Sequence, residues 1–506
     1  METVLKCCRS QSNRNFVKFS RHILNVSAVS LFLFGLCLPD RLKFTFMLFG
    51  VVAMWLSNII FSLENLKSRV LLLFFNLTQF IFLMGRGVVN FLKEERWWKL
   101  YTDTGLNFAL TALFISLLCM QLGVILFEFA DSKSQKIRQR KIRPNSPLLP
   151  KYNGYIADVS LLFFLLCFFC FMYIEVDKLI FMQGKSYEDY YILYKSNPPP
   201  LFGTFSAMMP YSLCVYLATF PKKSRAFIVL MMYFVSAIPM LIIGQRNPIV
   251  LNAIFIFIYY FIRGTFDNKE KWLGRFEKTA LVIAVPVAVL LLAMYNYTRG
   301  GKSVELNIFE LLLDFVEKQG VSFKVLSLGF DAIPKIINTP FTNYTFGPII
   351  DYWYYGAVGQ TFLGAPDLPT GNNEFRATHG NDFSHSMSYI AKDDYLQGHG
   401  WGSSYLLETY ADFGWLGVII FSLLLGMVFV FLLKMLRRGV VASSITLVAL
   451  AELFFTPRSN ATGWILFLFQ PHFWIAVFLC LVAAQLLYNS SQKQKYRVYS
   501  EVKINV

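Results

Sequence analysis

Charged residues are scarce in this chain. Only 15% of its 506 residues are Asp, Glu, Lys or Arg, whereas 56% are hydrophobic and 52 are phenylalanines. Soluble domains have roughly 25% charged residues, so the sequence lacks the polar side chains that would cover a soluble fold of this size. The apolar segments also lack strand-like alternation, which argues against a β-barrel.

Several familiar chemical motifs are missing as well. The sequence has no P-loop, no dinucleotide-binding fingerprint and no nucleophile elbow. None of the eight cysteines lies in the longest polar segment, so the pattern indicates neither a disulfide framework nor a cysteine-based metal site. Asp393, Asp394 and the nearby histidines offer metal ligands, but their spacing matches no known metal motif.

Long apolar segments are what the chain has instead. Residues 225–244 and 278–295, for example, approach or reach the ~20 residues that cross a bilayer core. We therefore predict an all-α polytopic membrane protein with about twelve transmembrane helices. The predicted spans are residues 22–38, 43–62, 69–91, 104–130, 157–181, 201–220, 226–244, 247–262, 279–296, 413–433, 441–457 and 464–488.

The distribution of positive charge predicts the orientation of these spans. The net charge is +16, which in a soluble protein would suggest nucleic acid as a partner. If the N-terminus is cytoplasmic, most of the 47 Lys and Arg residues fall in cytoplasmic segments and few in the short outer loops. This bias follows the positive-inside rule. It predicts that both termini are cytoplasmic, and it makes the bilayer, not nucleic acid, the partner of the basic residues.

One long polar segment divides the chain into three predicted parts. Residues 1–296 form an N-terminal membrane domain of about nine spans, and residues 413–506 form a C-terminal membrane domain with about three spans and a basic cytoplasmic tail. Residues 297–412 between them form a large extracytoplasmic loop, in which residues 307–330 have the apolar spacing of an amphipathic helix. Because this loop is rich in Tyr, Phe and Trp, we expect it to be folded.

Basic residues near the outer surface are candidate ligands for an anion. Arg246 precedes Pro248, which fits the first turn of a helix, and the N–H groups of a helix N-terminus favour an anion. Arg299 and Arg86 are each next to glycines, which let the backbone approach a ligand. The full set is Arg86, Arg246, Arg299, Lys324 and Arg458. Such groups around one cavity suit a diphosphate; the alternative is that each binds lipid phosphates, and we favour function for Arg246 and Arg299.

Histidine and carboxylate residues near the end of the loop are candidate bases. Three of the five histidines, His379, His385 and His399, lie in this loop, and Glu408 and Asp412 share one helical face. An imidazole or carboxylate at the boundary between water and membrane could deprotonate a sugar hydroxyl. The alternative is that the histidines cap loops and the acids solvate the start of a helix.

In the segments that contain these candidate cations and bases, the sequence resembles the Wzy-type polysaccharide polymerases, the O-antigen or capsular repeat-unit polymerase family. The layout of spans and long loop contributes to the resemblance, and the segment at 398–418 is its most specific part. The resembling segments are IIGQRNPIVL at 242–251, YNYTRGG at 295–301, QGVSFKV at 319–325, HSMSY at 385–389 and GHGWGSSYLLETYADFGWLGV at 398–418.

The resemblance implies a GT-C-like glycosyltransferase that uses undecaprenyl-diphosphate-linked oligosaccharides at the outer face of the bacterial plasma membrane. The growing chain passes to the terminal sugar of a new lipid-linked repeat unit, without a cofactor or an essential metal. Beside this chemistry we expect Arg246 and Arg299 to bind the diphosphate, with Lys324 and Arg86 assisting. His385 or Glu408 would be the base, and His385 is preferred because the pKa of histidine lies near physiological pH.

Two rival functions stay open from the sequence. An O-antigen ligase shares the layout and the lipid diphosphate chemistry but uses a different acceptor. A polysaccharide flippase or transporter would have paired repeats and ionisable residues deep in its spans. This sequence has no visible repeat, and its spans contain few charged residues, of which the exceptions are Glu128, Glu175, Asp177 and Glu452. A chain-length-regulating co-polymerase also stays open as a partner.

Overall fold

Helices dominate the computed structural model. It describes residues 2–93, 96–138, 149–185, 194, 198–266, 307–336 and 342–504, together with separate short pieces between 270 and 294, and these residues contain no β-strand. The first ten helices among the described residues are α1 Glu2–Leu36, α2 Asp40–Glu64, α3 Leu66–Gln79, α4 Gly85–Lys93, α5 Asp103–Arg138, α6 Leu149–Phe181, α7 Phe202–Ala218, α8 Lys223–Val235, α9 Ile238–Ile243 and α10 Asn247–Phe266. A π-helical turn, Phe80–Met84, joins α3 to α4.

Shorter helices follow before the chain returns to long apolar ones. They are α11 Ile308–Gln319, α12 Val321–Ala332, α13 Gly347–Tyr354, α14 Ala357–Leu363, α15 Glu374–His379 and α16 Phe383–Ala391. The last three helices are α17 Tyr405–Met435, α18 Val440–Leu453 and α19 Pro471–Ile504.

The membrane-spanning character of the prediction is confirmed. Within the described part of the chain, nine helices are long and apolar enough to cross a bilayer, and α7 and α18 are shorter apolar helices. Together they overlap every predicted span except 279–296, most of which lies outside the described residues.

One helix predicted in the long loop is two helices. Residues 307–330 were expected to form a single amphipathic helix, but α11 ends at Gln319 and α12 starts at Val321. Gly320 interrupts them with a ψ of 17°. A Cβ at Gly320 would lie only 2.6 Å from the backbone nitrogen of Arg86. Apolar periodicity could not reveal this break, because it depends on the close approach of a segment distant in sequence.

The first of two compact units comprises Met1–Lys133, Phe261–Leu433 and Glu452–Trp464. Buried polar side chains connect its apolar helices: Asn58 donates to the carbonyl of Leu117, and Gln79 donates to Ser116. Such hydrogen bonds join helices where no water is present. Helices α5 and α17 approach closely at Gly123 and Gly426, where a Cβ would collide with the opposing backbone.

The second unit comprises Ser134–Tyr260, Lys434–Ala451 and Ile465–Val506. Its helices are also joined by polar side chains. Tyr211 on α7 donates to Gln470 just before α19, at 2.7 Å, and Asn153 on α6 donates to the carbonyl of Thr219.

Candidate active site

Arg86 lies where α4 packs against the joint between α11 and α12. The π-helical turn Phe80–Met84 precedes α4, and π-turns often occur at functional sites. Glycines permit the close packing, since a Cβ at Gly87 would meet the ring of Phe323 at 3.1 Å and Gly320 contacts Arg86 itself. The backbone of Arg86 is therefore fixed while its side chain remains partly exposed.

The guanidinium of Arg86 faces the hydroxyl of Tyr101. Burial raises the pKa of Tyr101 to about 12, and the positive charge of Arg86 and a hydrogen bond from Asn90 act in the opposite direction. Among the residues that the structure describes, no carboxylate lies within 4 Å of Arg86 or Lys324. Both positive charges can therefore interact with an anionic ligand.

Arg458 and Lys324 contact the same helix pair. Nη1 of Arg458 donates to the side-chain oxygen of Gln319, the last residue of α11, at 3.1 Å. Lys324 projects from α12, and its Nζ lies 5.9 Å from the centre of the Trp401 ring. We call Arg86, Lys324 and Arg458 the cation group, because all three lie on or against α11 and α12.

Glu408 fixes the segment that carries Arg458. Its side chain is fully buried, and its carboxylate accepts hydrogen bonds from the backbone nitrogen of Ala461 at 2.7 Å and from Asn460 at 3.1 Å. These donors follow Arg458 by two and three residues. One turn later, Asp412 accepts from the backbone nitrogens of Tyr344 and Thr345.

The predicted helical face shared by Glu408 and Asp412 is confirmed, and it ends at a sharp break. Gly414 has φ 61° and ψ −151° within α17, so residues 405–413 form a short helix of their own before the long apolar helix continues. This backbone conformation is essentially restricted to glycine. Gly417 is also constrained, because a Cβ there would lie 2.1 Å from the carbonyl oxygen of Thr409. The backbone geometry therefore requires glycine at both glycine positions of the FGWLG segment, residues 413–417.

His385 has a defined hydrogen-bond partner. It lies on α16, and its Nδ1 is 2.9 Å from the hydroxyl oxygen of Tyr395. That hydroxyl donates its single proton to the carbonyl of Asn373 at 3.3 Å, so Nδ1–H of His385 is the donor to Tyr395. Burial lowers the pKa of His385 and the positive charge of Arg376 lowers it further, while Asp382 acts to raise it. A neutral imidazole held through Nδ1 leaves Nε2 as the atom that can accept a proton.

The structure brings together only part of the predicted set. Arg86, Lys324, His385 and Glu408 all belong to the first unit, whereas Arg246 directly precedes α10 in the second unit. Arg246 thus occupies the predicted position before a helix N-terminus. Arg299 lies outside the described residues.

Sequence reasoning gave no specific role to two residues that the geometry singles out. The sequence places Arg458 among the candidate anion ligands but gives it no role in the reaction, although its position in a short polar segment between apolar ones is a usable signal. Tyr395 had no signal, because its contact with His385 depends on the folding of the loop around α16.

These features define a polytopic helical membrane protein with a cation group and a hydrogen-bonded histidine in one compact unit. The family model of the O-antigen polysaccharide polymerase Wzy matches residues 22–491, nearly the whole chain, and the chain belongs to this family. The resemblance inferred from the sequence is thereby confirmed. Membership makes the chain an integral membrane protein with the role of a glycosyltransferase-type O-antigen polymerase. No curated protein and no solved structure matches the chain.

Proposed function

We propose that this protein polymerises undecaprenyl-diphosphate-linked oligosaccharide repeat units into O-antigen or capsular polysaccharide at the outer face of the bacterial plasma membrane. The observation that carries the proposal is the cation group, two of whose members have no carboxylate within 4 Å among the residues that the structure describes. A diphosphate leaving group requires such positive charge, because negative charge accumulates on it as the glycosidic bond breaks.

The reaction assigns a role to each group. The acceptor hydroxyl on the new repeat unit attacks the first sugar of the growing chain, and its proton passes to Nε2 of His385. The bond between that sugar and the diphosphate breaks, a new glycosidic bond forms, and undecaprenyl diphosphate leaves with the electron pair. Arg86 and Lys324 stabilise the departing charge, which is also the role that the sequence predicts for Arg246 and Arg299.

Among the two candidate bases, the contacts favour His385. Glu408 is fully buried and its carboxylate already accepts two hydrogen bonds, so we assign it the positioning of the Arg458 segment. His385 is only partly buried, and its lowered pKa keeps it neutral at physiological pH. General base catalysis needs this form.

Deletion of the gene, followed by electrophoresis of the cell's glycans, tests the function. We expect the mutant to retain a single repeat unit on its final acceptor and to lose the longer products. A plasmid copy of the gene should restore them. Complete loss of attached glycan, with accumulation of lipid-linked polymer, would instead identify a ligase.

A reaction with purified protein tests the substrate. The protein in lipid nanodiscs should extend an undecaprenyl-diphosphate-linked repeat unit when this is the sole sugar substrate, without a nucleotide sugar. Failure of the purified protein to lengthen this substrate, under conditions where it remains folded, would contradict the proposal.

A further inference from the structure

The helical hairpin α13–α14 exposes an apolar surface. The exposed fractions of its side chains include 43% for Trp353, 80% for Phe362 and 69% for Leu363. A shallow cavity of about 330 Å³ lies on this surface and is lined by Ile349, Ile350, Trp353, Tyr354, Val358 and Leu363. Large exposed apolar patches usually mark a contact with another surface.

Charge is almost absent from the hairpin. From Phe346 to Ala365 the sequence has a single charged residue, Asp351. Its carboxylate accepts hydrogen bonds from the backbone and side-chain nitrogens of Asn381. Tyr355, one turn after Asp351, donates to the carbonyl of His379 at 2.7 Å. Asp351 and Tyr355 therefore face the segment between α15 and α16, and the opposite face of the hairpin presents no charge.

The start of the hairpin is attached to the end of a membrane span. Asp412 accepts hydrogen bonds from the backbone nitrogens of Tyr344 and Thr345, directly before α13. Past Gly414, two residues after Asp412, α17 has no charged residue until Lys434, and this length of uncharged helix suits a bilayer core. The hairpin therefore begins beside the polar end of this apolar segment.

We propose that α13–α14 is an interfacial hairpin whose apolar face lies in the boundary between lipid headgroups and acyl chains. Its composition fits this location: tryptophan and tyrosine concentrate at membrane interfaces, and interfacial helices have one apolar and one polar face. The occupant of the apolar face is the bilayer itself. Because the polar face binds residues 379–381, the hairpin holds α15 and α16, and with them His385, against the membrane surface.

Fluorine NMR of the full-length protein tests the proposal directly. The nine tryptophans are replaced by 5-fluorotryptophan, and the protein is placed in phosphatidylcholine nanodiscs. The variant Trp353→Phe serves only to identify the Trp353 signal in the wild-type spectrum. Lipid with a nitroxide near the headgroup end of its acyl chain should broaden the Trp353 signal strongly, whereas a water-soluble gadolinium chelate should broaden it weakly.

Two other tryptophans calibrate the experiment. Trp474 on α19 is 45% exposed within a candidate membrane span and should respond to the spin-labelled lipid. Trp97 is fully buried and should be the least affected by either reagent. A Trp353 signal that the spin-labelled lipid leaves as sharp as that of Trp97 would overturn the proposal, whether water or another protein then covers the face. The measurement is independent of catalysis.

Discussion

The proposed function depends on the positive charges of Arg86 and Lys324, and each charge can be removed by a single substitution. Arg86→Gln and Lys324→Gln should each lower the rate of polymerisation on the order of 10²-fold, the usual effect of losing one group that stabilises developing negative charge. The rate is measured with purified protein and lipid-linked repeat units. Lys335→Gln is the matched control, since Lys335 is exposed and lies on the short turn after α12.

Lys324→Arg should retain much of the activity, because a guanidinium still interacts with a phosphate. Rates for Arg86→Gln and Lys324→Gln that equal those of the Lys335→Gln control would remove both residues from the site.

The pH dependence of the reaction tests His385. Burial lowers its pKa below the ordinary histidine value of 6.5, and the neutral form is the base. The rate should therefore be constant near neutral pH and fall on the acid side, with a midpoint below 6.5. His385→Ala should lower the rate about 10²- to 10⁴-fold, the typical contribution of a general base. A wild-type rate that stays constant well below the histidine range would exclude this residue as the base.

The roles of Glu408 and His385 can be distinguished by measuring both the reaction rate and the free energy of unfolding of a variant at each position. Glu408→Gln replaces a carboxylate that accepts two hydrogen bonds, one at each oxygen, with an amide whose oxygen can accept one of them and whose nitrogen can accept neither. It should lower the free energy of unfolding by about 1–3 kcal/mol. His385→Gln should lower the rate but should lower the free energy of unfolding by less than Glu408→Gln does, about 0.5–1.5 kcal/mol for its one hydrogen bond with Tyr395. Loss of activity without loss of stability in Glu408→Gln would favour Glu408 as the base.

At the level of secondary-structure elements, the break at Gly414 is the feature most open to test. Gly414→Ala forces a side chain into a backbone conformation with φ 61° and should destabilise the protein by about 1–3 kcal/mol. Gly154→Ala is the matched control, because Gly154 lies within α6 and a Cβ there would meet no atom within 4 Å. Equal unfolding transitions for the two variants would contradict the assigned backbone strain.

Element positions were predictable to the extent that they depend on local sequence. Apolar length located the long helices, and the proline after Arg246 correctly placed a helix N-terminus. The break at Gly320 and the pairing of His385 with Tyr395 were not predictable, because both depend on segments that meet only in the folded chain. For the same reason, the sequence suggested Arg86, Lys324 and Arg458 separately but could not show that they contact one helix pair.

At the level of the whole molecule, orientation in the membrane decides whether the proposed chemistry is available. An alkaline phosphatase fusion, which is active only outside the cytoplasm, should be active near residue 350 and inactive near Arg225. The positive-inside bias is the physical reason for this expectation. Inactive phosphatase near residue 350, from a fusion that is stably expressed, would mean that the cation group does not face the lipid-linked substrate.

Glu408 and Asp412, on the short helix at 405–413, accept hydrogen bonds from backbone nitrogens of segments that are distant in sequence. Asp412 holds the nitrogens of residues 344 and 345, and Glu408 holds the nitrogen of residue 461. Every amino acid except proline offers such a nitrogen. Apart from Asn460, whose side chain also donates to Glu408, the side chains at these positions can therefore change without loss of the main-chain hydrogen bonds. The short helix thus fixes the paths of two loops without fixing most of their sequence.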